Sequence, residues 1–168
     1  MDRPIVDGFH CWVGLNEGLH RTHLNINPFV GVHVVPLMKM AARLEGRSYR
    51  RSTATYAIHM GEIAPDEYAF EFTEDTDIEA ESERLARLYD SVGFPYAKSL
   101  SSYEAILPLL ESRLDMLGGY PERVAICLLM LGRRQEALAC VDEVQKRKPN
   151  YFGNFVSAFR AEVNGSAQ

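Results

Sequence analysis

Residues 9–26 read FHCWVGLNEGLHRTHLNI, and the way this stretch pairs with itself decides the fold. Over 9–15 and again over 19–26 apolar and polar side chains alternate, the period of half-buried strands, and Glu17-Gly18 between them supplies the residue type that tight hairpins favour. Pairing Asn16 with Leu19 sets Cys11 opposite Leu24, Phe9 opposite Ile26 and Val13 opposite Thr22, so that one face is apolar. A slip of one residue mixes apolar with charged partners. The other face then carries His10, Trp12, His23, Arg21 and Asn25.

Asn27-Pro28 breaks the ladder before 29–33, and Pro36 stands near the start of a helix over 37–44 that Gly46 ends. Alternation returns over 54–63 and 68–73, with residues 64–67 as the turn of a second hairpin. Beyond residue 75 the apolar period becomes helical. Thr76 with Glu79, and Ser101 with Glu104, read as capping boxes; Gly93 followed by Pro95 stops the first helix, Pro108 kinks the second and Gly118-Gly119 ends it. Pro121 opens a short apolar helix closing at Gly132. A longer one over 133–148 runs to Pro149-Asn150, and an amphipathic piece over 152–163 precedes a polar tail.

Strands first and helices after predict an α+β fold, with a four- or five-stranded, mostly antiparallel sheet, an inserted helix and a C-terminal helical layer. A chain of 168 residues fits one domain, with a sheet-forming half over 1–75, a helical half over 76–164 and a tail over 165–168. At 46% hydrophobic and 24% charged residues the composition excludes the disordered and fibrous classes. The longest apolar run, over 124–131, is far short of the ~20 residues that span a bilayer, so no membrane role is expected. Three widely spaced cysteines, Cys11, Cys127 and Cys140, suit reduced thiols in a cytoplasm.

The net charge of −5 argues against a general nucleic-acid binder, and it is local. Residues 74–90 hold seven acids (Glu74, Asp75, Asp77, Glu79, Glu81, Glu83, Asp90) against Arg84 and Arg87. Such a segment is either a solvated helix face or a docking surface for a basic protein, with Glu79, Glu83 and Asp90 near one helical face as its trial contacts. Arg43, Arg47, Arg50 and Arg51 form a smaller opposite cluster, read as a solvated loop or as a contact for phosphate or an acidic protein.

Motifs for chemistry are lacking. The five histidines (His10, His20, His23, His33, His59) show no helical metal-binding spacing, and His20 and His23, an odd number apart on a strand, are expected on opposite faces. No nucleophile elbow, dinucleotide fingerprint or phosphate loop occurs, and the three cysteines read as small buried hydrophobes. No cofactor and no metal are therefore expected.

From Gly118 to Tyr151, the spacing of Gly132, Ala137 and Pro149 resembles the loop glycine, small helix residue and closing proline of one tetratricopeptide repeat. The order of the whole chain resembles small bacterial proteins encoded beside secreted polymorphic toxins. LNINPFVGVH stands in an early strand, TYAIHMGE in a later one, and LGRRQEAL in a C-terminal helix pair. That resemblance implies a cytosolic immunity protein, not an enzyme, that occludes a protein toxin or other basic protein. The expected contacts are Glu79, Glu83 and Asp90 on the acidic helix and Trp12, His23 and Arg21 on the sheet. A small hydrolase or transferase with a site between sheet and helices is an alternative, and so is an adaptor or chaperone using the C-terminal helices.

Overall fold

The computed structural model describes residues 2–116 and 119–165. Gly118 of the expected Gly118-Gly119 stop and the last three residues of the expected tail lie outside them. The fold is mixed α+β, with an antiparallel sheet of several strands, an inserted helix and a C-terminal helical layer. The chain divides into two compact units that interleave in sequence. One comprises the residues up to His33 with Tyr56–Ser101; the other comprises Val34–Thr55 and everything from Ser102 onward. The division does not fall at residue 75: helical residues 78–99 belong with the strands, and the inserted helix belongs with the C-terminal helices.

In the sheet unit, β1 (Asp2–Val6), β2 (Phe9–Leu19), β3 (Leu24–Val34) and β4 (Tyr56–His59) lie in that order, and β5 (Phe70–Phe72) also pairs with β3. The sequence reading passed over β1. Asp7-Gly8 closes it onto β2, with Gly8 at φ 74° and Val6 opposite Phe9, because only glycine enters this left-handed region without a Cβ penalty. Pro4 and a register shift between Pro4 and Val6 blunt this outer strand as an edge for further pairing.

The expected turn at Glu17-Gly18 is corrected. Both residues lie inside β2, as do Asn16 and Leu19, so those two cannot pair; the chain reverses at Arg21-Thr22, where the His20 N–H donates to the His23 carbonyl at 2.9 Å. The inward side of β2 is nevertheless the expected one, with Phe9 and Cys11 buried, because moving a reversal along a strand leaves its alternation intact. The second hairpin is also corrected. Strands β4 and β5 do not pair with each other but lie one after the other along β3, as Phe29 opposite His59 and Ile26 opposite Phe70 show. The gap between them falls at Asn27-Pro28, and proline has no N–H with which to continue a ladder.

Helix α2 (Ile78–Leu88) passes through a π-helical turn (Tyr89–Gly93) into α3 (Phe94–Ser99). Gly93-Pro95 therefore does not stop the helix. Proline clashes with the carbonyl four residues before it, and that residue, Ser91, lies in the widened π turn, where the chain has room. Gly93 serves close packing instead of termination: a Cβ there meets Tyr89 at 3.1 Å and Val30 at 3.4 Å. The Tyr89 hydroxyl sits over the Gly14 and Phe29 carbonyls at 3.0 and 3.1 Å, which anchors the π turn to the sheet. The caps shift by one residue. Asp77, not Thr76, accepts from Ala80 N–H, and Ser102, not Ser101, accepts from Ala105 N–H.

The helical unit contains α1 (Val35–Leu44), α4 (Tyr103–Glu111), α5 (Pro121–Met130), α6 (Arg134–Arg147) and α7 (Phe155–Gly165). Helix α1 ends as expected at Gly46, φ 69°, with the Arg47 N–H returning to Ala42 O. Helix α4 contains Pro108 and stops at Glu111, short of the expected end. Helix α5 is buried on all sides from Pro121 to Leu128, which makes it the centre of the unit. It packs against α6 across Gly132, φ 74°, with Ala137 fully buried. Phe152, Phe155 and Phe159 stack in series at 5.3 Å.

Candidate functional site

Two places combine exposure or burial with chemistry that packing does not require. The first is one end of the sheet unit. Because Leu24 pairs with Phe72, β5 finishes beside the turn end of the β2–β3 hairpin, and six residues later α2 begins. The hairpin tip and the start of α2 therefore share an end. Leu19 there is 85% exposed, Leu15 58% and Ile78 67%, while Arg21 and Thr22 are open to solvent.

The histidines at this tip correct the expectation of opposite faces. His20 and His23 flank the reversal instead of sitting along one strand, and their rings stack at 4.4 Å, with His23 Nδ1 3.2 Å from the Thr22 hydroxyl. Trp12 is half-buried and lies along its own strand over Gly14: a Cβ on Gly14 meets its ring at 2.3 Å, so a side chain there displaces the ring. Trp12 thus packs along β2, well back from the tip.

Helix α2 is anchored by a residue the sequence reading did not single out. Arg84 donates to the Glu67 and Ala69 carbonyls at 2.8 and 2.6 Å, lies 3.8 Å over the Phe70 ring, and pairs with Glu81 at 2.7 Å. That hydrogen bond holds the Glu81 carboxyl below the usual carboxylate range. Of the trial contacts, Glu83 pairs with Arg87 at 3.1 Å and Asp90 with Arg3 at 3.2 Å, whereas Glu79 has no cationic partner among the described residues. The same holds for Glu74, Asp75 and Asp77. Uncompensated negative charge thus gathers at 74–79, before and within the first turn of α2, where the positive end of the helix dipole suits it.

The second place lies in the helical unit. Glu122 and Arg123, in the first turn of α5, are both buried. Burial pushes the Glu122 carboxyl above its ordinary range and the Arg123 guanidinium below its own. Tyr151 donates to Glu122 Oε2 at 3.3 Å, and its phenol is pushed up to about 12, chiefly by burial. Arg123 Nη1 donates to the Ala54 and Thr55 carbonyls at 2.9 and 2.8 Å, and its guanidinium lies 3.7 Å from the Tyr120 ring centroid. The signal was present in the sequence: two adjacent charges at the start of a helix that is otherwise apolar through Met130. Two hollows meet here. One is bounded by Arg47, Arg50, Arg123 and Tyr120, the other by Glu45, Arg47, Tyr120, Glu122 and Tyr151.

Elsewhere the reactive side chains are quiet. Cys127 Sγ lies 3.5 Å from the Tyr103 carbonyl and is pushed up to about 12 by burial; Cys140 rises to about 11 for the same reason. Among the described residues no three His, Cys, Asp or Glu side chains are placed to hold a metal ion, and no helix is long and apolar enough to cross a membrane. Searches with this chain against protein-family models, curated proteins and solved structures found no match.

Proposed function

We propose that this protein is a protein-binding module whose sheet unit docks on a basic partner through the hairpin tip and the acidic start of α2. The supporting observation is the coincidence at one end of exposed apolar side chains, Leu19 and Ile78, with the uncompensated acids Glu74, Asp75, Asp77 and Glu79. Large apolar side chains exposed together and rimmed by charge are the usual composition of an interaction surface. The acids steer encounter with a positively charged partner, and the apolar residues slow its escape. The reading needs no chemistry from this chain: the partner is neutralised by covering its working surface. The resemblance in layout to immunity proteins makes a bacterial toxin the favoured partner. Three cysteines outside any disulfide, two of them buried, support an encounter in a reducing cytoplasm.

The test is complex formation with the purified product of the adjoining gene. The wild-type protein is expected to form a stoichiometric complex, and Leu19→Asp to raise the dissociation rate by about tenfold or more while leaving the circular dichroism spectrum unchanged. Absence of any complex removes the proposal. A complex insensitive to Leu19→Asp removes the hairpin tip from it.

A further inference from the structure

We propose that the helical unit holds a phosphate-bearing small molecule in the cavity bounded by Arg47, Arg50 and Arg123. The cavity measures about 400 Å³, within the range of small-ligand sites and larger than a bare oxyanion needs. Its remaining walls are Met38 and Ala42 of α1, Ser48 and Thr53 of the following loop, and the Tyr120 ring. Three guanidinium groups line it and no carboxylate does.

Arg123 carries the inference. It is 5% exposed, and its position is fixed from two sides by the Ala54 and Thr55 carbonyls and by the face of Tyr120. Both hydrogen bonds come from Nη1. Nε and Nη2 make none among the described residues, and no carboxylate is in ion-pair contact with the group. A desolvated guanidinium held by neutral carbonyls, with two nitrogens left over and no carboxylate in contact, is open to an anion, although Glu122 and Glu45 attract it from a distance. Burial is the main cause that lowers the hold of Arg123 on its proton; the charge of Arg47 adds to it although Arg47 is paired with Glu45, while Glu122 and Glu45 act the other way. Arg50 has no hydrogen bond or ion pair among the described residues, although it lines the same space. The acids nearby, Glu45 and Glu122, face the adjoining hollow.

Guanidinium forks match the tetrahedral oxygens of phosphate in paired hydrogen bonds, and a phosphomonoester brings nearly two negative charges to Arg50 and Arg123, the two guanidinium groups here outside any ion pair. A carboxylate offers one charge and one edge. The apolar wall of Met38 and Ala42, with the Tyr120 ring, leaves room for an organic body attached to the phosphate.

The experiment is isothermal titration calorimetry of the full chain with pyrophosphate, inorganic phosphate and succinate at low salt. The expected result is saturable one-to-one binding of pyrophosphate, weaker binding of phosphate, and succinate weaker than pyrophosphate by about tenfold or more. Arg50→Ala, at an exposed position that the fold does not need, is expected to weaken pyrophosphate binding by about tenfold, and Arg123→Lys, which keeps the charge but loses the fork, by more. Pyrophosphate should also raise the melting temperature of the wild type and not of Arg123→Lys. No saturable binding of pyrophosphate up to about 10 mM, an affinity weaker than about −3 kcal/mol, overturns the proposal. So does unchanged binding in Arg50→Ala, or succinate binding as tightly as pyrophosphate.

Discussion

The sheet unit carries its charge on the outside, and the helical unit buries part of its own. At residues 74–79 the acids stand in water without cationic partners among the described residues, where each costs little and remains available to a second molecule. At Glu122 and Arg123 the charges have left water, and each is held by groups that cannot be altered without consequence: carbonyls, a phenol and an aromatic face. One region should therefore respond to substitution in its binding kinetics and the other in its stability. On the two proposals, the difference separates a surface suited to encounter from a site suited to holding a ligand still.

The largest expected effect is in the helical unit. Arg123→Ala removes two charge-assisted hydrogen bonds, strands the Ala54 and Thr55 carbonyls and opens space beside Tyr120, and should cost about 3 kcal/mol by urea unfolding. A loss under about 1 kcal/mol would mean that this buried charge is no better placed than a surface one. Tyr89→Phe probes the same question in the sheet unit. Its hydroxyl bridges the Gly14 and Phe29 carbonyls, and its removal is expected to cost about 1–2 kcal/mol by the same measurement.

A third change sharpens the contrast through pH. The folded-state pKa of Glu122 is raised by burial, so the folded protein binds this proton more tightly than the unfolded chain does. The protonated form then suits the fold, and stability from this group is lost as pH rises from the unfolded value of about 4.3 through the higher folded one. Glu122→Gln stays neutral and still accepts from Tyr151. It should raise the melting temperature at pH 7 and leave it unchanged below pH 4. An equal effect at both pH values contradicts a buried carboxylate. The smallest effect belongs to the exposed pair: Arg87→Ala, which breaks the contact with Glu83, should shift stability by no more than about 0.5 kcal/mol.

How far the sequence revealed these regions depends on whether burial fixes the local choice. The α5–α6 pair was legible because Gly132 needs a positive φ and Ala137 admits only a small side chain, two demands visible in the residue types. Helix α1 with Pro36 and Gly46 was legible for similar reasons. The β2–β3 hairpin was not. From Leu15 outward β2 is largely exposed, so no buried face specifies where it must reverse, and Gly18 fits a strand as well as a turn. Asp7-Gly8, the stronger turn signal, was overlooked because the short strand before it shows little alternation.

Strands β4 and β5 could not be told from a hairpin locally, since both arrangements use the same alternating runs and only the distant partner β3 distinguishes them. The π turn hid behind Gly93 and Pro95, a combination that commonly ends helices, because the widening at Ser91 that admits the proline leaves no mark in the sequence. For the candidate sites, the acidic run was visible but not its internal pairing. Glu83 and Asp90 are engaged by Arg87 and Arg3, and the free charge lies earlier, at Glu74 to Glu79. Arg123 showed as one of two charges opening an otherwise apolar helix, but its partners did not, because they are backbone carbonyls, which no side-chain pattern announces.

The most direct test of the encounter surface is the association rate with the purified product of the adjoining gene as a function of ionic strength. It should be measured by stopped flow for the wild type and for the double substitution Glu74→Lys with Glu79→Lys. Both positions are exposed, so the fold should be unaffected. At about 10 mM ionic strength, where the screening length is about 30 Å, the double variant should associate about tenfold or more slowly, with a flatter salt dependence, and the two proteins should converge near 1 M. Equal rates at low salt would contradict steering by these acids and leave residues 74–79 as ordinary solvated surface.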